Sequence, residues 1–155
     1  MHASFKLYVE TLHPSFERLM SMSPLSMAAL PKRLPEKCVY LFSESEKHLY
    51  VGRTRRLRNR LRQHSIAGAQ HNQAVFAFRL AREMTGNLLA AYSTKGGRLA
   101  LSIDPIFAAA FTKAKARVRT MDLRFVEETD PLRQALLEIY VSIVLETKYN
   151  DFDTH

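Results

Sequence analysis

Six arginines fall within ten residues, at positions 53, 55, 56, 58, 60 and 62. No acid is interleaved among them, so the like charges repel one another and gain little from folding. Guanidinium groups are planar, permanently charged donors that match phosphate oxygens, and the run reads as a phosphate-contacting surface ahead of a merely solvated face. On a helix, Arg53, Arg56 and Arg60 fall along one flank of a Leu57/Leu61 seam, with Arg55, Arg58 and Arg62 along the other. Two further sets of residues bear chemistry. Gln134, Glu138, Ser142 and Glu146 recur at i,i+4 along an otherwise apolar C-terminal stretch. By pattern alone that stripe reads as the solvent face of a helix. Tyr40 and Tyr50 lie in two short apolar runs, where tyrosine is ordinarily a packing residue with its hydroxyl at an edge.

The elements that must position these groups follow from periodicity and capping. The runs 38–43 and 48–53, rich in Val, Leu, Tyr and Phe and separated by Glu44-Ser45-Glu46-Lys47, predict a β-hairpin. Thr54 is placed to cap a short basic helix over 55–64. Asp104-Pro105 and Asp130-Pro131 each set an N-cap before a proline at the first helical position. They predict helices over about 105–116 and from Leu132 to about Thr147. Val118, Thr120, Leu123, Phe125 and Val126 predict a third strand. Residues 4–21 have helical spacing with Pro14 as a break or restart, and 70–92 have it with a split at Gly86. A proline-containing connector spans 21–37, and Lys95-Gly96-Gly97-Arg98 predicts a turn. The last helix is apolar almost all round, so it is expected to be central and largely buried.

The 155 residues suit one domain with one core, and no repeat or low-complexity tract divides them. A net charge of +8 favours polyanionic partners, nucleic acid first and an anionic membrane surface second. No apolar run approaches the ~18 residues of a membrane span, and the start lacks a signal-peptide core, so a cytoplasmic protein is expected. With one cysteine and no paired histidines, a zinc cage is not expected, and a metal would be bound through oxygen.

Taken together, Cys38-Val39-Tyr40, then Tyr50-Val51-Gly52, then Arg60 on the basic helix, then Glu138 and Asn150 resemble the GIY-YIG nuclease domain in order and content. The Gly52-to-Arg60 and Glu138-to-Asn150 spacings are similar to those of the nuclease domain in bacterial nucleotide-excision repair. Cys38 departs from the family's usual glycine, and Arg53 stands where the repair enzymes often place lysine. The resemblance covers 38–64 and 117–150 and leaves about 66–116 and 1–37 unassigned.

The resemblance implies an α+β fold, a small three-stranded antiparallel sheet flanked by helices. Here it would carry an N-terminal helical extension and connector (1–37) before a nuclease domain (38–155) with a helical insertion at about 66–116. It implies a divalent-metal-dependent endonuclease hydrolysing DNA phosphodiester bonds, with Mg²⁺ or Mn²⁺ on Glu138 and no small-molecule cofactor. Arg60 would steady charge on the scissile phosphate and Tyr40 would take or relay the proton of the attacking water. Tyr50 would help position that water, and Asn150 would brace the site. The arginine flank would supply the positive charge that Tyr40 needs to act as a base. Arg53, Arg55, Arg56, Arg58, Arg62 and His64 are expected along bound DNA. The alternative is a nucleic-acid-binding module that keeps the fold but does not cut. The DNA target, the pathway and the oligomeric state stay open at this point.

Overall fold

The computed structural model describes residues 1–86 and 97–153. Leu88, Leu89 and the Lys95-Gly96 half of the expected turn lie outside the described residues. The chain divides into two compact units, Met1–Arg60 with Met121–Asn150, and Leu61–Thr120 with Asp151–His155.

In the first unit, α1 (Ala3–Val9) and α2 (Leu12–Ser21) precede β1 (Cys38–Glu44) and β2 (Lys47–Thr54). The start of α3 (Leu57–Ser65) follows, then β3 (Asp122–Glu127) and α7 (Pro131–Leu145). The sheet is antiparallel in the order β2-β1-β3, so the expected three-stranded α+β architecture is present. The hairpin turn is tighter than the sequence suggested. Ser45 and Glu46 both have positive φ, the backbone that a two-residue turn uses to match strand twist.

Pro14 does not break the N-terminal helices. It sits in the first turn of α2, where a missing N–H leaves no bond unmade, and the break falls at Glu10 and Thr11. The 21–37 connector holds a single 3₁₀ turn at Met27–Ala29 and a bridge from Leu25 to Leu123 of β3.

Central β1 is buried on both faces. Leu12 and Leu19 of α2, Val39 and Leu41 of β1, Val51, Val126, and Leu137 and Val141 of α7 form one hydrophobic core. Asp130 caps α7 as expected, its carboxylate accepting from the N–H groups of Leu132 and Arg133. The burial of α7 departs from expectation. Leu132, Ile139, Ile143 and Val144 are exposed, whereas Gln134 is buried and Glu138 and Ser142 are half-buried. The first part of the polar stripe therefore faces inward, because β2 and the loop before α7 supply Gln134 and Glu138 with partners that an apolar side chain could not use, while Glu146 at the C-cap stays exposed.

In the second unit, the rest of α3 is followed by α4 (Val75–Met84), α5 (Arg98–Ile103) and α6 (Pro105–Arg119). Asp104 caps α6, its carboxylate accepting from the Ile106 N–H. The helix runs three residues past its expected end. Val118 is buried on the same face as Ala114, and Thr120 is the C-cap, so neither belongs to the third strand. Phe78, Phe107 and Phe111 pack as an aromatic core, with Phe78 and Phe107 centroids 4.9 Å apart.

Candidate active site

The hairpin register builds the first part of the site. Tyr40 pairs with Gly52 and Phe42 with Tyr50, so strand alternation puts both tyrosines on one face of the sheet. The Tyr40 ring lies across Gly52: a Cβ at that position would collide with the phenol's oxygen and Cζ. Only glycine leaves room for it.

The α3 helix brings Arg60 to the same face. Thr54 Oγ1 accepts from the Arg56 N–H, and the Leu57 N–H donates to the Glu36 carbonyl, which fixes how the chain leaves β2. One turn on, Arg60 Nε donates to the Tyr40 hydroxyl at 3.3 Å, and its guanidinium also hydrogen-bonds Tyr50. Burial works against the Arg60 charge, yet the two phenols outweigh it and hold the guanidinium above its ordinary value.

From α7, Glu138 reaches Arg53 of β2, whose Nε donates to Oε2 at 2.9 Å. Burial raises the Glu138 carboxyl above its usual range, with Arg53 and then Arg60 opposing. Gln134, one turn earlier on α7, donates from Nε2 to the carbonyls of Thr54 and Glu128. It ties α7 to the end of β2 and so fixes which way Glu138 faces. Tyr40, Tyr50, Arg53, Arg60, Gln134 and Glu138 line one cleft of about 440 Å³.

Asn150 stands behind this cleft and not in its lining. Its Oδ1 accepts from the Val51 N–H at 2.9 Å and its Nδ2 donates to the Val51 carbonyl at 2.7 Å. With Tyr149 N–H donating to the Leu49 carbonyl, the chain end closes the open edge of β2 and holds the backbone between Tyr50 and Gly52.

The expected DNA-facing residues divide. Arg53 is drawn into the cleft by Glu138, and Arg55 lines it as well. Arg56 and Arg62 are exposed. Arg58 donates to the carbonyls of Pro31 and Lys32, pinning the connector, and His64 is fully buried and presents nothing to a ligand. The arginine flank does not lower Tyr40 either. Burial dominates and raises the phenol, Tyr50 adds to this, and Arg60 alone of the run pulls it down.

The inward turn of Gln134 and the pairing of Arg53 with Glu138 escaped the sequence reading, in which pattern alone made the α7 stripe a solvent face and the family resemblance singled out Glu138 by itself. The available signal was that both polar residues sit one turn apart on an otherwise apolar helix.

Residues 36–94 match the GIY-YIG catalytic domain. This segment belongs to that family. The GIY-YIG match carries Tyr40, Tyr50, Gly52 and the arginine run and points to a nuclease, while Glu138 and Asn150 lie beyond it. It also runs past the basic helix into residues that the sequence resemblance left uncovered. Comparison with curated proteins and with solved structures gives no match.

The close approach of Tyr40 to Gly52 makes Gly52→Ala an overpacking change at a buried strand pair. It is expected to lower unfolding free energy in urea by about 1–3 kcal/mol. A variant as stable as the parent would mean that the phenol does not lie there.

Because burial favours the protonated Glu138 carboxyl in the folded state, that group's contribution to stability is lost as pH rises through its folded value. Arg53 opposes the shift. Carboxyl-detected NMR should show Glu138 titrating above the ordinary carboxylate range, and higher still in Arg53→Gln. An unmoved or lowered midpoint in the variant would break the link between the two groups.

Proposed function

We propose that the protein is a divalent-metal-dependent endonuclease that hydrolyses DNA phosphodiester bonds in this cleft. The observation that carries the reading is the convergence of side chains from β1, β2, α3 and α7 on one open, cationic space.

Among the described residues no group of three or more histidine, cysteine or acidic side chains is placed to hold a metal. Glu138 is the one carboxylate lining the cleft. Such a donor set suits Mg²⁺ or Mn²⁺ at a phosphate site, where most of the coordination shell is water and phosphate oxygen. A cation held by Glu138 would supply positive charge beside the scissile phosphate and order the oxygens around it.

The chain's own residues do the rest. Arg60, braced by two phenols, donates to the phosphate oxygens as negative charge builds on them. Tyr40 is held neutral by burial, so it acts as a relay: its oxygen takes the proton of the attacking water while its own proton passes to solvent water in the cleft. The water oxygen bonds to phosphorus and the bond to the 3′ oxygen breaks. The 3′ oxygen takes a proton from solvent, leaving a free 5′-phosphate. Tyr50 positions the water, and Asn150 braces the strand that bears it. The exposed arginines of the α3 run hold the flanking backbone. Among the described residues no helix is long and apolar enough to cross a membrane, and a cytoplasmic setting fits that reading.

Supercoiled plasmid incubated with Mg²⁺ tests the assignment. The parent protein should nick it, chelation should stop nicking, and Glu138→Gln should be inactive. Arg60→Ala should slow cutting by on the order of a hundredfold or more while leaving DNA affinity within a few-fold. Equal nicking by all three proteins would assign the activity elsewhere. Binding by all three without any cutting would leave a non-catalytic nucleic-acid binder.

A further inference from the structure

The positive charge of this chain is segregated. Between Leu61 and Thr120 the sequence holds nine lysines and arginines against two acids, which accounts for seven of its eight excess positive charges. The rest of the chain, with the candidate active site, is nearly neutral at fourteen basic against thirteen acidic side chains. The acids are also unevenly spread: none occurs from Leu61 to Arg82, and none from Pro105 to Met121.

Among the described residues of this unit, several cations face outward. Arg62, Arg98, Lys113 and Arg119 are exposed and Arg79 is half-exposed. Part of the charge is gathered against its own repulsion. Arg79 and Arg82 lie one turn apart on α4, and the Arg98 guanidinium lies 5.7 Å over the ring of Phe78, itself one turn before Arg82. Burial and then the nearby Arg98 and Arg79 weaken the Arg82 charge, with Asp151 opposing. Glu83 is the acid that α4 itself carries. Lys115 and Arg119 also serve the fold: Lys115 Nζ donates to the Ala67 and Ala69 carbonyls, and Arg119 donates to the Ser65 carbonyl.

We propose that Arg79, Arg98 and Lys113 of the Leu61–Thr120 unit belong to a second nucleic-acid-binding surface, gripping backbone phosphates and supplying most of the chain's electrostatic attraction to DNA. Flat, bidentate guanidiniums suit phosphate diesters, and a unit of this charge raises the local concentration of a polyanion around a nearly neutral remainder. The inference shares with the proposed function only the premise that the ligand is nucleic acid. It does not depend on cutting.

The test uses the full chain carrying Glu138→Gln, so that DNA survives, and follows binding to a labelled duplex of about 30 base pairs from roughly 50 to 300 mM salt. Arg79→Gln/Arg98→Gln/Lys113→Gln is compared with Lys6→Gln/Lys32→Gln/Lys47→Gln, which removes the same charge from the other unit. The first set should weaken binding roughly tenfold or more and flatten the log affinity against log salt by about two to three. The second should change affinity less than about threefold. Equal losses from the two sets, or no loss from the first, would overturn the proposal. So would tighter binding to anionic phospholipid vesicles than to duplex, an arm included because α5 also exposes Leu99 and Ile103. If the triple variant unfolds, Lys113→Gln alone should flatten the slope by about one, and an unchanged slope would count against the proposal. A parent protein that binds in this pattern yet never nicks plasmid would leave this inference standing and remove the enzymatic one.

Discussion

The site depends on one cross-strand pairing. Tyr40 and Gly52 face each other in the hairpin register, and the missing side chain lets a bulky phenol lie flat over the neighbouring strand. That placement puts the hydroxyl within reach of Arg60 and leaves the cleft open beside it. A one-residue slip would send every side chain of the strand to the opposite face. The surrounding structure guards against this: the tight Ser45-Glu46 turn sets one end of the register, and the Asn150 amide clamps Val51 at the open edge.

Electrostatically the cleft balances burial against pairing. Burial shifts both Tyr40 and Glu138 toward their neutral forms, and Arg60 and Arg53 pull in the opposite direction. The two arginines thus take distinct parts, one committed to the phenols and the other to the carboxylate. Such partly compensated groups in a cleft are the usual signature of a functional site. Here the GIY-YIG match of residues 36–94 gives that signature a chemical direction.

Much of this was legible in the sequence because it rests on local rules. Alternating apolar runs marked the hairpin, and two Asp-Pro pairs marked the starts of α6 and α7. The ordered motifs marked Tyr40, Tyr50, Arg60 and Glu138 before their convergence was visible. What could not be read depends on long-range contacts. Nothing local says that Arg58 folds back onto Pro31 and Lys32, that His64 is enclosed, or that Gln134 turns inward to two carbonyls. The apolar outer side of α7 misled in the same way, since hydrophobic composition cannot tell which side of a helix finds a neighbour. The strand-like pattern at Val118 and Thr120 gave way to the alanine-rich helix before it, which continued until Thr120.

The central claim is that the strand phenol and the α3 guanidinium act as one device. Single-turnover nicking by Tyr40→Phe, Arg60→Gln and the double variant tests it most directly, with melting curves confirming that each is folded. A shared device predicts that the double variant is about as slow as the slower single one, because each substitution alone already disables the pair. Losses that multiply, so that the double variant is slower by the product of the two, would contradict it.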